Sequence, residues 1–269
     1  MLDRLSLDGR VAVVTGGGTG LGLEMVRHLA RAGANLAVAG RRSGPIESAA
    51  DEVKAMGQDA IAVSTDVSDS AQANALIDAA IQHFGRVDVL INNAALVSDS
   101  IPTPIWDISD QDWQAALDVN LSGAFYCARA ASKPMADQGQ GKIINVSSGF
   151  GLRGGRDIYM YCCTKGGIIQ LTRVLSFSLA RYGVTANSIV PGFIPTVGTD
   201  SEIRDALPRS GAYLPTGKLG VPEDIGPVAV FLASSASDYM TGETFTLDGG
   251  GLAGGLAPTG YAPEIPLEP

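Results

Sequence analysis

The sequence predicts one α/β domain with a doubly wound, parallel seven-stranded sheet and helices on both faces. Two observations lead to this prediction: the chain alternates between two kinds of segment, and no linker interrupts the alternation. Short apolar runs alternate with longer segments in which apolar residues recur at helical spacing. Strands that alternate with helices of about ten or more residues imply right-handed βαβ crossovers. No linker composition interrupts the pattern, so residues 1–269 are expected to form a single domain.

Seven segments are expected to be strands, and the first of them ends in a run of glycines. They are Val11–Thr15, Asn35–Ala39, Ala60–Ser64, Val87–Ile91, Lys142–Ser147, Val184–Val190 and Thr244–Leu247. Six segments are expected to be helices, and several of them stop at a glycine. They are Leu21–Ala32, Pro45–Met56, Ala71–Phe84, Gln111–Ala131, Tyr159–Tyr182 and Pro222–Ala233. Helices between parallel strands cover both faces of a sheet.

Two segments fall outside this alternation. The long insertion at 195–220 is rich in Gly and Pro, and a long loop after a strand is often a lid over a ligand. A passive surface loop is the alternative. The tail at 251–269 is also rich in Gly and Pro, so we expect it to be irregular. It is either a frayed terminus or an arm that lies on a neighbouring subunit.

Charge and composition argue against several classes of function. The chain has 19 basic and 28 acidic residues, a net charge of −9, and no basic stripe, which argues against a nucleic-acid partner. Cys127, Cys162 and Cys163 have neither disulfide nor metal-ligand spacing, so no metal site is expected. No apolar run is long enough to span a membrane, and the N-terminus lacks a signal segment. The expected location is the cytoplasm.

A glycine-rich loop follows the first strand and opens the first helix. It reads Gly16-Gly17-Gly18-Thr19-Gly20-Leu21-Gly22, with G-x-x-x-G-x-G spacing. Glycines let the backbone turn sharply and approach a pyrophosphate, and the helix N-terminus supplies free N–H groups. This strand–loop–helix arrangement is typical of the dinucleotide-binding Rossmann fold. The expected phosphate cradle consists of Gly16, Gly18, Thr19, Gly20, Leu21 and Gly22.

The end of the second strand indicates which dinucleotide binds. An acidic residue about 20 residues beyond the loop would hydrogen-bond the 2′-hydroxyl of NAD. Gly40, Arg41 and Arg42 occupy this place instead. Two guanidiniums can bind a 2′-phosphate through charge-assisted hydrogen bonds. NADP(H) is therefore the expected cofactor, and NAD(H) is the alternative if both arginines face solvent.

Tyr161 and Lys165 are the candidate acid/base pair. They are four residues apart on a predicted helix, so their side chains share one face. A free tyrosine has a pKa near 10, and a nearby ammonium lowers that pKa because it favours the phenolate. A tyrosine tuned in this way can give a proton to a carbonyl oxygen, or take it from an alcohol.

Further motifs accompany this pair along most of the chain. They are TGGGTGLG at Thr15–Gly22, Asp66-Val67, NNAA at Asn92–Ala95, Asn120 in LDVNLSGAF, Ser148 in NVSSGFG, PGFIPT at Pro191–Thr196, and DGG ending at Gly250. Together with Tyr161-x-x-x-Lys165 they resemble, in order and spacing, the short single-domain branch of the short-chain dehydrogenase/reductase family.

The resemblance implies a role for each matching residue. Ser148 would hydrogen-bond the substrate oxygen, with Ser147 as its rival, and Asn120 would hold a water in a proton relay. Lys165 would also bind the nicotinamide ribose. The other implied cofactor contacts are Asp66 at the adenine amino group, Val67, Asn93 and Ala94 along the cleft, Pro191 and Gly192, and Ile194 and Thr196 at the nicotinamide carboxamide. Thr19 stands where many NADP-dependent relatives carry a basic residue.

The expected activity is hydride transfer between NAD(P)(H) and a secondary alcohol or ketone. A catalytically weak, NADP(H)-sensing binding protein of the same fold is the alternative, although such a protein would be expected to lack the tyrosine or the lysine. The resemblance implies a homotetramer or homodimer. Sugar-acid dehydrogenases and ketoacyl reductases fit equally well, and Arg153 and Arg156 face either an acidic substrate or solvent.

Overall fold

A computed structural model of the chain describes residues 2–96, 101–196, 211 and 214–254. The described strands form one sheet in the order β3-β2-β1-β4-β5-β6-β7, and every neighbouring pair is parallel. Their bounds are β1 Val11–Thr15, β2 Asn35–Gly40, β3 Ala60–Ser64, β4 Val89–Asn92, β5 Gly141–Val146, β6 Val184–Pro191 and β7 Thr244–Leu247. The predicted doubly wound, seven-stranded architecture is confirmed.

Eight α-helices connect or follow these strands in the described part of the chain. They are α1 Gly20–Arg31, α2 Ser43–Ala55, α3 Ser70–Phe84, α4 Asp110–Leu117, α5 Gly123–Gln138, α6 Tyr159–Leu179, α7 Ile225–Ala233 and the single turn α8 Gly251–Gly254. Helices α1, α2 and α7 cover one face of the sheet, and α3, α5 and α6 cover the other. The central strands are buried between the two layers, as expected for a parallel sheet.

The long helix predicted at Gln111–Ala131 differs most from the structure. A π-helical turn, Asp118–Ser122, joins α4 to α5, so the helical segment runs from Asp110 to Gln138. It passes through Pro134 and ends where Gly139 adopts a left-handed conformation, with φ of 69°. Glycine takes this conformation at little cost, which makes it a good helix terminator.

The fourth strand begins two residues later than predicted, because Val87 bonds to a helix instead of the sheet. The Nε2 of Gln138 donates to the carbonyl oxygen of Val87 at 2.8 Å, and the N–H of Val87 donates to Oε1 of the same side chain at 3.2 Å. Both polar groups of the Val87 backbone are satisfied by one amide at the end of α5. The sheet ladder starts at Val89.

The C-terminal tail was expected to be irregular, but its first four residues form α8. The carboxylate of Asp248 accepts bonds from the N–H groups of Gly250 at 2.8 Å and Leu252 at 2.7 Å. An aspartate that binds the first free N–H groups stabilises a helix start. Residues 255–269 lie outside the described part of the chain. So do 197–210 and 212–213, which include most of the predicted lid at 195–220.

Candidate active site

The predicted site residues meet at the carboxyl ends of the central strands. From β1 the chain proceeds outward to β2 and β3, and it returns at β4 on the other side. A crevice forms where the strand order reverses in this way, and dinucleotides bind there in doubly wound folds. The loops after β1, β4, β5 and β6 contain Gly16, Asn93, Ser148 and Ile194, respectively.

The glycine loop after β1 is held in a tight turn that depends on the missing side chains. Gly16 has φ of 64°. A Cβ on Gly22 would lie 2.1 Å from the carbonyl oxygen of Gly16, so only glycine allows this approach. The Thr19 side chain makes no capping hydrogen bond at the start of α1. The first-turn N–H groups of that helix are thus not engaged by this side chain, as an anion-binding helix end requires.

Hydrogen bonds join the loop after β4 to the end of β1 and to the glycine loop that follows it. The side-chain amide of Asn93 donates to the carbonyl oxygens of Thr15 at 3.0 Å and Gly16 at 3.2 Å. In return, the hydroxyl oxygen of Thr15 accepts from the backbone N–H groups of Asn93 at 3.0 Å and Ala94 at 3.1 Å. The structure therefore gives the Asn93 side chain a supporting role, whereas the family resemblance implied only that Asn93 lies along the cleft.

The predicted adenosine contacts lie on the β2–β3 side of the crevice. Arg41 and Arg42 follow β2 and are exposed, and Arg42 occupies the N-cap position of α2. The Oδ1 of Asp66 accepts bonds from the backbone N–H and the hydroxyl of Ser68, at 3.0 and 2.7 Å. Val67 is buried, with its Cγ2 only 2.7 Å from where a Cβ on Gly123 would lie.

Lys165 is fixed beside Tyr161 on helix α6. Its side chain is buried, with 3% of the residue exposed, and Nζ donates to the carbonyl oxygen of Val146 at 2.9 Å. The same Nζ lies 5.6 Å from the centroid of the Tyr161 ring. A buried ammonium is costly unless it is hydrogen-bonded, and its charge acts strongly on neighbours because solvent is excluded. Strand β5 and helix α6 therefore bring a cation to the phenol.

The two adjacent serines after β5 have different surroundings. Ser147 is 3% exposed, and its hydroxyl donates to the carbonyl oxygen of Lys165 at 2.7 Å. The hydroxyl oxygen of Ser148 accepts from the N–H of Phe150 at 3.2 Å, at the start of the short turn Gly149–Gly151. Ser147 is thus occupied by the backbone of α6, and Ser148 begins the loop that faces the crevice.

Asn120 lies within the π turn between α4 and α5. Its Oδ1 accepts from the N–H of Leu96 at 2.6 Å, and its Nδ2 donates to the Leu96 carbonyl oxygen at 3.3 Å. These bonds join the middle of the long helix to the loop after β4. Such π turns are rare and occur often at functional sites.

The loop after β6 reaches across to the glycine loop. A Cβ on Gly20 would lie 3.4 Å from the Cγ2 of Thr196, which places Thr196 against the phosphate cradle. The N–H of Gly192 donates to the carbonyl oxygen of Leu247 at 2.8 Å. A cavity of about 250 Å³ lies beside this loop, with Ile194 and Asp248 in its wall. Of the residues expected from the PGFIPT motif, Thr196 therefore lies against the glycine loop, Ile194 lines the neighbouring cavity, and Gly192 is joined to β7.

Phe150 lies beside Tyr161, although no sequence motif predicted a residue there. Its ring stands edge-on to the Tyr161 ring, with centroids 6.3 Å apart and an interplanar angle of 76°. Leu252 of α8 also approaches this loop, since its Cδ1 lies 3.8 Å from where a Cβ on Gly149 would be. An aromatic residue two positions after Ser148 was the only available signal, and no periodicity identifies it.

Comparison with known proteins agrees with this fold. A family model described as short chain dehydrogenase matches residues 10–206. The chain belongs to the short-chain dehydrogenase family. It is an NAD(P)-dependent oxidoreductase of alcohols or ketones, so the predicted family and class of reaction are confirmed. In the described part of this dehydrogenase, no helix is long and apolar enough to cross a membrane.

The relatives of this dehydrogenase match it over nearly its whole length. A 2-dehydro-3-deoxy-D-gluconate 5-dehydrogenase of Escherichia coli is 37% identical over 260 residues, covering 94% of this chain and 99% of the relative. A 3-oxoacyl-[acyl-carrier-protein] reductase of Synechocystis is 35% identical over 247 residues, covering 91% and 98%. A crystal structure of a gluconate 5-dehydrogenase from Burkholderia cenocepacia, in complex with NADP and tartrate, has a TM-score of 0.85 and 35% identity, covering 94% and 98%.

Proposed function

We propose that this dehydrogenase transfers a hydride between NADP(H) and a secondary alcohol or ketone, with Tyr161 as its acid/base. The observation that supports this proposal is the position of Lys165. A buried ammonium, bonded to the carbonyl oxygen of Val146 at 2.9 Å, lies beside the phenol on the same helix. Its positive charge stabilises the phenolate that remains after the proton has left.

In the direction of reduction, the hydroxyl of Tyr161 gives its proton to the substrate oxygen, and the tyrosine is left as phenolate. NADPH, which would be held by the glycine loop and Lys165, would supply the hydride for the carbonyl carbon. The hydroxyl of Ser148 donates to the same substrate oxygen and stabilises its developing negative charge. In oxidation the phenolate takes the alcohol proton instead. Asn120 is proposed to hold a water near Lys165 through which the proton exchanges with solvent.

The preference for NADP(H) over NAD(H) is proposed from the charge at the end of β2. Arg41 and Arg42 are both exposed there and are available to pair with a 2′-phosphate. The glycine loop and the uncapped start of α1 fit a pyrophosphate, because Gly22 permits a turn that any side chain would block. The NADP complex of the Burkholderia relative also supports this proposal.

A homotetramer or homodimer in the cytoplasm is proposed for the assembled enzyme. The outer surface of the helices next to the site carries large apolar side chains, since Phe177 on α6 is 92% exposed and Trp106 before α4 is 82% exposed. Large apolar side chains exposed to this extent are candidates for contacts between subunits. Light scattering on a sizing column should give the mass of two or four chains, and a fluorescent fusion should fill the cytoplasm.

The proposed function is tested by following NADPH absorbance with a broad panel of ketones. We expect turnover, and we expect Tyr161→Phe to abolish it while the Kd for NADPH stays nearly unchanged. Tyr159→Phe is the matched control, because Tyr159 lies two residues earlier on the same helix. Tight NADPH binding without turnover on any ketone would favour a cofactor-sensing protein instead.

A further inference from the structure

The guanidinium of Arg153 stacks on the ring of Phe150, and this ring packs against Tyr161. The Cζ of Arg153 is 4.7 Å from the centroid of the Phe150 ring. That ring in turn stands edge-on to Tyr161, with centroids 6.3 Å apart. An arginine within about 6 Å of an aromatic centroid is attracted to the ring face. The Phe150 ring thus connects an exposed guanidinium to the proposed acid/base.

The backbone fixes this stack in the same turn that positions Ser148. The N–H of Gly151 donates to the carbonyl oxygen of Ser148 at 2.8 Å, and the N–H of Arg153 donates to that of Gly149 at 3.2 Å. A Cβ on Gly155 would lie 2.7 Å from the Cε1 of Phe150, so the ring packs directly on glycine backbone. The position of the guanidinium is therefore coupled to the position of the substrate-facing serine.

Among the residues that the structure describes, no acid neutralises the charge of Arg153. Of the carboxylates in the described part of the chain, none forms an ion pair with this guanidinium. This is notable in a chain of net charge −9. A guanidinium stacked on a ring keeps its N–H groups at its edge, where they can bind a carboxylate in a bidentate manner.

We infer that Arg153 determines specificity by binding the carboxylate of a small hydroxy acid or oxo acid whose reacting carbon lies at Tyr161. The inference rests on the proposed function and adds a substrate class to it. A neutral polyol or ketone lacks the group that Arg153 recognises, and a thioester-linked oxoacyl chain has no carboxylate near its reacting carbon. Of the two alternatives for Arg153, an acidic substrate or solvent, we therefore assign it to the substrate.

The test compares acids with their reduced counterparts on the NADP⁺-saturated enzyme. D-gluconate and D-glucitol form one pair, and L-tartrate and L-threitol form the other; each pair differs only in whether a carboxylate or a hydroxymethyl group ends the chain. Calorimetric titration measures binding without requiring turnover. We expect at least one acid to bind about tenfold or more tightly than its neutral counterpart, as a charge-assisted contact implies.

Variants assign that preference to one side chain. Arg153→Gln should weaken binding of the acid about tenfold or more and leave the neutral counterpart unchanged. Arg156→Gln is the matched control, because Arg156 is an exposed arginine in the same loop, and it should keep the preference for the acid. Phe150→Leu should reduce the preference in part, since it removes the ring that orients the guanidinium.

Three outcomes would overturn the inference: no preference for either acid, an equal loss in the two arginine variants, or an equal loss for acid and neutral ligand in Arg153→Gln. The ketone panel separates these outcomes from a failure of the proposed function. Turnover of neutral ketones by Arg153→Gln at the wild-type rate would show that hydride transfer is intact. If the wild-type enzyme turned over none of the ketones, that result would count against the proposed function itself.

Discussion

The hydroxyl of Ser147 donates a hydrogen bond of 2.7 Å to the carbonyl oxygen of Lys165. This contact ties the end of β5 to α6 one turn after Tyr161. It also occupies a serine that is adjacent in sequence to the proposed substrate-binding Ser148. The pair therefore offers a direct comparison between a hydroxyl that joins β5 to α6 and a hydroxyl that is proposed to bind the substrate.

Ser148→Ala is expected to lower kcat/KM about 10²–10³-fold, because it removes one donor to the developing oxyanion. Ser147→Ala is expected to keep kcat within a few-fold of the wild-type value. It should lower the free energy of unfolding by about 1–3 kcal/mol, since it removes a donor to a buried carbonyl oxygen. Steady-state kinetics and urea unfolding measure the two effects. Equal kinetic losses in both variants would contradict the assignment.

Replacement of Arg41 and Arg42 by Gln should change the choice of cofactor. The double variant is expected to raise KM for NADPH about 10- to 100-fold, because a 2′-phosphate loses its charge-assisted hydrogen bonds. KM for NADH serves as the internal control and should stay nearly constant. An unchanged KM for NADPH would mean that both guanidiniums face solvent.

Gly22→Ala should damage the phosphate cradle. The new Cβ would lie 2.1 Å from the carbonyl oxygen of Gly16, so the loop must shift. We expect a loss of about 1–3 kcal/mol in stability and weaker NADPH binding, as in other overpacked sites. Gly44→Ala is the matched control, because a Cβ there meets nothing within 4 Å. Thermal melts with and without NADPH distinguish the two variants.

Cys127 should make the enzyme sensitive to alkali. Burial raises the pKa of this thiol from 9.0 to about 12, so its neutral form is the one that packs in the core. Since the folded-state pKa is the higher one, the stabilising contribution is complete below pH 9 and is lost as pH rises towards 12.

The wild-type enzyme is therefore expected to lose about 1 kcal/mol more stability than Cys127→Ala between pH 8 and pH 10. Urea unfolding under reducing conditions at both pH values measures the difference. Cys163→Ala should follow the wild-type curve, because Cys163 is exposed. Parallel curves for Cys127→Ala and the wild-type enzyme would be incompatible with this explanation.

The sequence predicted the strands and the catalytic spacing well because both depend on local patterns. Alternating apolar segments located β3 and β7 at their observed bounds, and helical spacing placed Tyr161 and Lys165 on one face of α6. Such local patterns could not predict that β4 starts at Val89 instead of Val87. This start depends on the side chain of Gln138, which is distant in sequence and satisfies both polar groups of the Val87 backbone.

The features of the site that the sequence did not predict also depend on contacts that no local pattern records. The stack of Arg153 on Phe150 and of Phe150 against Tyr161 depends on how one irregular loop turns, and no periodicity records it. The π turn around Asn120 was also hidden, because no pattern in its five residues distinguishes a π turn from an α turn. Its two bonds to Leu96 form only when the loop after β4 has docked.

The π turn at Asp118–Ser122 also makes this region sensitive to chain length. A π turn holds one residue more than the α turn it replaces, so removing one residue would restore regular α winding while α4 and α5 keep nearly the same phase. The backbone shift that brings Asn120 to Leu96 would then be lost, and with it the two hydrogen bonds between them. A single-residue deletion here is thus expected to disconnect Asn120 from the loop after β4, and homologous chains should keep the length of this segment constant even where its composition varies.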